Sequence, residues 1–353
     1  MNKTVLTAET EKEQNPFIYN APVRGTDFYN REEIMSKLLY EAINGKTQGN
    51  VWVTGERQVG KTSLLRYIQA KYDQYDKKIK LYPTGKYFNV AFIYLNVQDT
   101  KSRDDFYRSL RQGLKNYFDF KIETTDDSYS SFINALKYLY FEQKYYIVFL
   151  VDEFDAFIEH LATGDPASAT SFLAELNKLI QEVSGIKDEP KMFCCIFTAN
   201  HTIEELLKEN GIDRRGSGLV VENLELDWFT RKQVEGLAHY YLKDNSIRFS
   251  KKDIDLCFNM TLGYPYFVQK LFSIIYEQKP RNSESESYLS KVKKEYGKMF
   301  NETVKGWGGA DMPKRTLEKL TDLSGKILKN VGDKSLDLLF KGIETYLKTR
   351  LNQ

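Results

Sequence analysis

The sequence predicts an α/β fold in which a parallel sheet, covered by helices on both faces, is built around a phosphate-binding loop and followed by an all-helical region. Three observations carry this expectation. Apolar runs at 145–151 and 192–197 have the length and continuity of strands buried on both faces, and are less than half of what a membrane-spanning helix needs. Between residues 31 and 224 such runs alternate with stretches of helical spacing. The third is Gly55-Glu56-Arg57-Gln58-Val59-Gly60-Lys61-Thr62, a complete G-x-x-x-x-G-K-[ST] between a β-type run and a helical pattern.

Taken in order, residues 1–14 hold no apolar stretch and read as a disordered, solvated tail. Pro16, Pro22 and Gly25 keep 15–31 extended or turned. Apolar positions 34, 35, 38, 39, 42 and 43 give a helix over 31–43, which Asn44 and Gly45 end. A strand at 50–54 leads into the loop, and a helix at 61–72 leads out. A strand at 90–97, helices near 103–118 and 129–142, and strands at 145–151, 192–198 and 219–224 follow, with a helix near 202–209. Beyond Asp227 the strand pattern stops. Thr230 is the expected N-cap of a helix reaching Lys243, and helices near 251–260 and 265–278 come next. The breaker-rich stretch 279–287 reads as a linker before helices near 288–304, 314–330 and 334–349, with 306–313 interrupting them. The expected domains are thus a tail (1–14), an α/β core (15–226), a helical lid (227–279) and a linker with a helical C-terminal region (280–353).

Composition narrows the class. A chain of 353 residues is long enough for about two domains and needs no staple. Three cysteines are too few for a secreted disulfide framework, which leaves a reducing cytoplasm as the expected location, with no membrane span. Lys and Arg (51) nearly cancel Asp and Glu (49), so the chain has no bulk polyanion-binding character and DNA is not the favoured partner.

The loop implies a P-loop NTPase core. Its glycines let backbone N–H groups turn inward around a phosphate, and the following helix N-terminus adds partial positive charge. Gly55, Glu56, Arg57, Gln58, Val59 and Gly60, with Lys61, Thr62 and Ser63, form the expected nucleotide cradle. Lys61 would neutralise the β and γ phosphates of ATP, and the Thr62 hydroxyl would ligate Mg²⁺. The strand at 145–151 ends in Asp152-Glu153, and buried carboxylates at a strand end call for compensation such as Mg²⁺ and water. Asp152 is the candidate metal holder and Glu153 the candidate base for the attacking water. Asp155 serves this site or a helix start. At the end of 192–198, Thr198 and Asn200 either face the γ phosphate or act as a turn residue and helix N-cap. Arg214 and Arg215 offer a guanidinium to a neighbouring subunit or form surface salt bridges. The cysteines read as buried small hydrophobes, and His160, His201 and His239 show no metal-ligand spacing.

The segments NPFIYNAPVRGTDFYNREEI (15–34), GERQVGKTSLL (55–65) and LVDEFDAF (150–157) resemble the AAA+-related STAND ATPases, close to their prokaryotic and archaeal branch, over about residues 15–280. The resemblance implies that Val23 and Phe28 pack on the adenine, and that Gly263-Tyr264-Pro265 is the lid motif, with Pro265 near the nucleotide. It places the arginine finger at Arg214 or Arg215, with Arg215 as the candidate. It further implies an Mg²⁺-dependent ATPase, whether fast or slow in turnover, that holds ATP or ADP between core and lid and works as a nucleotide-controlled switch or assembly motor. An ATP-dependent homo-oligomer and a protein partner or effector in prokaryotic defence or signalling go with this. Only about 70 residues follow the lid, where such proteins continue into long sensor or effector regions. Ten Lys or Arg against seven Asp or Glu over 301–353 is too little net charge for DNA binding, and a helical hairpin packed on the lid or on another subunit is expected there. The alternatives are a DNA-associated AAA+ regulator of the replication or transposition type, whose winged-helix hairpin is not apparent, and a static ATP-binding interaction module.

Overall fold

The computed structural model describes residues 13–23, 28–29, 31–44, 49–72, 79–80, 87–118, 129–182, 191–280, 287–307, 314–331 and 334–351. Residues 1–12 of the expected tail, and most of the expected linker and of the 306–313 interruption, lie outside them. The described chain forms two compact units, one from Pro22 to Asp227 and one combining residues 13–21 with the chain from Trp228 onward.

The first unit is an α/β layer structure. Helix α1 (Glu32–Leu39) runs into a π-helical turn (Tyr40–Asn44) where a continuous helix is expected. Strand β1 (Asn50–Thr54) is buried along its whole length, and α2 (Lys61–Tyr72) starts at the lysine of the loop. After the two-residue β2 (Ile79–Lys80) come β3 (Tyr87–Asn96), α3 (Arg103–Tyr117), α4 (Tyr129–Phe141) and β4 (Tyr145–Asp152). Two helices absent from the sequence reading, α5 (Phe154–Gly164) and α6 (Pro166–Glu182), precede β5 (Phe193–Ala199). The series closes with α7 (Ile203–Glu209), the single-turn α8 (Arg214–Ser217) and β6 (Val221–Glu225).

The sheet order is β2-β3-β4-β5-β1-β6, parallel except for the β2–β3 pair. The connection from β1 runs to one side of it, toward β3, and that from β5 crosses over β1 to β6 on the other, so the carboxyl end of β1 lies at the topological switch point where open α/β sheets bind ligands. β5 separates β1 from β4, with Thr54 in register with Ala199 and Phe197 with Val151. The turn after β5 therefore lies between the glycine loop and the Asp152-Glu153 pair.

The second unit is helical: α9 (Arg231–Leu242), α10 (Lys251–Thr261), α11 (Pro265–Gln278), α12 (Tyr288–Trp307), α13 (Lys314–Val331) and α14 (Lys334–Leu351). Thr230 caps α9 as expected, its hydroxyl accepting the Gln233 N–H while the Gln233 side chain accepts the Thr230 N–H. α13 and α14 form a hairpin that packs on α10 and α12, so the C-terminal helices extend this unit. Residues 13–21 belong here too. Phe17 is buried among Tyr241, Phe249, Phe272 and Tyr276, the Asn15 side chain donates to Ser273, and the Tyr276 hydroxyl, which donates to Asn245 Oδ1 at 2.8 Å, lies 3.3 and 3.4 Å from the Glu13 and Gln14 carbonyl oxygens. No helix among the described residues is long and apolar enough to cross a membrane.

Candidate functional site

The glycine loop is shaped by close packing and by left-handed backbone. A Cβ on Gly55 would sit 2.7 Å from Val59 Cγ1 and 2.8 Å from the Leu226 carbonyl oxygen, so only glycine lets the loop pass that close to the chain leaving β6. Gly60 has φ +110°, a region L side chains rarely adopt, and Gln58 is left-handed at φ 59°. Between these reversals the Val59 N–H donates to the Glu56 carbonyl at 3.2 Å, which closes the turn of the loop. Glu56 and Val59 are buried, whereas Arg57 and Gln58 are exposed.

Lys61 is buried at the first position of α2. Its ammonium donates to the Gly55 carbonyl at 2.9 Å, the Glu56 carbonyl at 3.2 Å and Asn200 Oδ1 at 2.9 Å. Burial lowers its pKa, and the carboxylates of Asp155, Glu153, Asp152 and Glu56 pull it back up. Asn200 thus accepts from the loop lysine and does not cap α7. The N-cap of α7 is Thr202, which forms a full capping box with Glu205, and Asn200 is left to face the loop.

Asp152 is fully buried at the end of β4. Its Oδ2 accepts the Tyr94 hydroxyl at 2.8 Å and its Oδ1 accepts the Thr198 hydroxyl at 2.5 Å. Thr198 Oγ1 also accepts the Glu153 N–H at 3.1 Å, which ties β5 to the residue where β4 ends. Glu153 is left-handed (φ 57°), a conformation that costs about 1–3 kcal/mol and that surrounding structure must impose. Burial raises the Glu153 carboxyl, Asp155 and Asp152 raise it further, and Lys61 and Arg57 act against them. Tyr94, with the Arg66 guanidinium 3.4 Å from its ring centroid, is pushed up to about 12 by burial and by Asp152. Tyr94 and Arg66 went unread in the sequence because nothing in the pattern of β3 or α2 marks them. The register of β3 on β4, Asn96 opposite Asp152, is what places Tyr94 there.

Asp155, left between a site role and a helix role by sequence, is in the site. It is buried in the first turn of α5, and its Oδ2 accepts the Asn200 N–H at 2.6 Å. The residues fit a divalent cation, since the carboxylates of Asp155, Glu153, Asp152 and Glu56 all act on the one buried ammonium. Asp152 keeps acceptor capacity on both oxygens, and the half-buried Thr62 hydroxyl follows Lys61.

On the other flank of α2, the Val23 N–H donates to Ser63 Oγ at 3.1 Å and the Phe28 ring packs on Tyr67 at 5.1 Å. Both therefore lie beside the helix that follows the loop. Arg214 and Arg215 are exposed on α8. Arg214 pairs with Glu204 at 3.4 Å, whereas the Arg215 side chain has no ion pair among the described residues. In the helical unit Pro265 is the first residue of α11. A Cβ on Gly263 would approach the Phe229 carbonyl oxygen to 1.8 Å, so packing inside that unit already requires the glycine of Gly263-Tyr264-Pro265. The three cysteines are buried and free, as expected, and burial pushes the Cys194 thiol up to about 12.

Residues 43–207 match the family model of an AAA domain, a span of a little under half the chain that holds the loop, Asp152-Glu153 and Asn200. Among solved structures, a Walker-type ATPase of Pyrococcus abyssi is similar at 15% identity and TM-score 0.57, covering 96% of this chain and 93% of that one. The ORC2 protein of Aeropyrum pernix is similar in its ADPNP–ADP complexes (13% identity, TM-score 0.53, 94% and 83% covered) and in its ADP form (12%, 0.51, 94% and 88%). No curated protein sequence matches the chain significantly. Residues 43–207 are thus similar to an AAA domain, and the α/β P-loop fold shared with these structures extends into the helical C-terminal region.

Proposed function

We propose that this protein binds ATP with Mg²⁺ and hydrolyses it as a nucleotide-controlled switch or assembly ATPase of the STAND type. The observation that carries the reading is the convergence of three strand ends on one lysine: Lys61 after β1, Asp152 and Glu153 after β4, and Asn200 after β5, bonded to Lys61 at 2.9 Å. The ammonium would exchange its carbonyl acceptors for β and γ phosphate oxygens, and the N–H groups of Gly55 to Thr62 would hold the remaining oxygens. Asn200 would stay within reach of the γ phosphate. Thr62 and Asp152 would hold Mg²⁺, which when bound supplies positive charge to the phosphate oxygens. Glu153, with its carboxyl raised toward neutrality, is suited to take a proton from the attacking water. Val23 and Phe28 would line the adenine side of α2, and Pro265 is the helical unit's candidate for nucleotide contact. The exposed Arg215, which has no ion pair among the described residues, is the better finger candidate, acting on a neighbouring copy in an ATP-dependent homo-oligomer. Buried, unpaired thiols suit a cytoplasmic setting.

The test is turnover and assembly together. Wild type should release phosphate and change its mass in light scattering between ADP and a non-hydrolysable ATP analogue. Glu153→Gln should bind ATP as well as wild type and lose about 10²–10⁴-fold in turnover. Undiminished turnover in Glu153→Gln would remove its assigned role, and tight ATP binding with no phosphate release by wild type would favour the static module. The fold shared with the ORC2 protein supports a second reading, the DNA-associated regulator, against which stand the near-neutral charge and an all-helical segment after α11 among the described residues. A salt-dependent shift of a DNA duplex under the ATP analogue would select that reading.

A further inference from the structure

Beside Asp155 of the nucleotide site lie two ligand-type side chains that the nucleotide chemistry does not use, Glu159 and His201. Asp155 and Glu159 are one turn apart on α5, and His201 directly follows Asn200 in the turn after β5. One ligand-type atom from each lies within 4.8 Å of the other two. We propose that Asp155, Glu159 and His201 bind a first-row divalent cation of the Zn²⁺ type, at a position separate from the Thr62 and Asp152 pair assigned to Mg²⁺.

The buried carboxylate is the first argument. Asp155 is 2% exposed, and with Oδ2 committed to the Asn200 N–H, its Oδ1 has no hydrogen-bond partner among the described residues. An isolated buried carboxylate oxygen is costly, and a cation is the partner that relieves it without a further donor. The second argument is the histidine. His201 Nδ1 lies 3.3 Å from Glu209 Oε2 and its Nε2 lies 3.9 Å from Glu159 Oε1. A carboxylate on one ring nitrogen fixes the tautomer and turns the other nitrogen's lone pair to a metal, the usual outer shell of a metal-bound histidine. The rival arrangement, a protonated His201 bridging Glu159 and Glu209, satisfies both glutamates but leaves Asp155 Oδ1 as it is.

The donor set chooses the ion. One imidazole nitrogen with two carboxylate oxygens suits Zn²⁺ or a neighbour in its row, whereas Mg²⁺ prefers oxygen and water alone. In a tetrahedral site, bonds of roughly 2.0–2.2 Å put donor atoms about 3.4 Å apart, so atoms that now lie within 4.8 Å of one another need to converge. The turn is anchored for this, because the Trp52 indole donates to the His201 carbonyl at 2.9 Å. The metal would be a positioning element. It would hold Asp155, which fixes Asn200, which in turn holds Lys61.

The experiment is calorimetric titration of Zn²⁺ into the full-length, chelator-stripped protein without nucleotide. One equivalent is expected to bind in wild type and equally in Asp152→Asn. His201→Ala should abolish that binding. Glu159→Gln should weaken it at least tenfold, and Glu209→Gln, which touches only the outer shell, about tenfold. Glu159 and Glu209 are about half exposed, so these two variants report even if His201→Ala does not fold. Absence of Zn²⁺ binding by wild type overturns the proposal, as does equal affinity in Glu159→Gln. Binding lost in Asp152→Asn alone would also overturn it, placing the ion at the Mg²⁺ position instead.

Discussion

The two units bury charge in opposite ways. In the helical unit Asp253 is fully buried and closed by its neighbours: it accepts from the Ser250 N–H and hydroxyl, from the Lys279 ammonium and from the Tyr288 hydroxyl. Both oxygens are used and the charge is balanced by Lys279. In the α/β unit one buried lysine faces Asp155, Glu153, Asp152 and Glu56. A closed network contributes to folding and asks for nothing more. An arrangement with surplus carboxylates is costly in the folded protein and is maintained where a cation and a polyphosphate complete it.

The largest expected effect tests the open side of that contrast. Lys61→Ala removes two or three charge-assisted hydrogen bonds to phosphate, each about 1.5–3 kcal/mol, so nucleotide affinity should fall about 10³-fold. Titration with a fluorescent, non-hydrolysable ATP analogue measures it. Affinity within tenfold of wild type would mean that the loop N–H groups alone carry the phosphates.

Removing one carboxylate from each unit sharpens the comparison directly. Asp253→Asn leaves Lys279, only 16% exposed, beside a neutral group, and should cost about 3 kcal/mol of folding stability. Asp152→Asn removes one of several like charges and should change stability by no more than about 1 kcal/mol, while weakening Mg²⁺-dependent ATP binding. Denaturant melts of the two variants without nucleotide distinguish them. Equal losses would show that the core carboxylates are as fully compensated as Asp253.

How much of this was legible in the sequence follows from which contacts are local. The loop, β1 and α2 are one contiguous segment with a fixed pattern, and Thr230 with Gln233 is a local cap, so both read correctly. Helix α6 has apolar residues at 169, 172, 173, 176, 179 and 180, a clear helical spacing, yet the Gly164-Asp165-Pro166 break and a second helix in one crossover hid it. The role of Asn200 could not be fixed without knowing that Thr202 takes the cap two residues later. His201 shares no spacing with His160 or His239, and its partners Asp155 and Glu159 reach it only because β4 and β5 are neighbours in the sheet. Tyr94 reaches Asp152 by the same kind of non-local register.

The smallest effect concerns Glu153 and has a definite sign. Burial, with repulsion from Asp155 and Asp152, holds its carboxyl above the ordinary 4.5, against the pull of Lys61 and Arg57. The folded protein then binds this proton more tightly than the unfolded chain. The contribution to stability is complete below pH 4.5 and is lost as pH rises through the elevated folded value. At pH 7 wild type carries an ionised group that folding disfavours, and Glu153→Gln does not. In nucleotide-free, metal-free buffer Glu153→Gln should therefore melt above wild type at pH 7, with the gap closing as pH falls to 4.5. Asp253→Asn should show a gap of the opposite sign at pH 7, because its charge is paired. A Glu153→Gln variant that melts below wild type at pH 7, or whose advantage grows in acid, would place Glu153 among compensated charges and erase the difference between the two units at that residue.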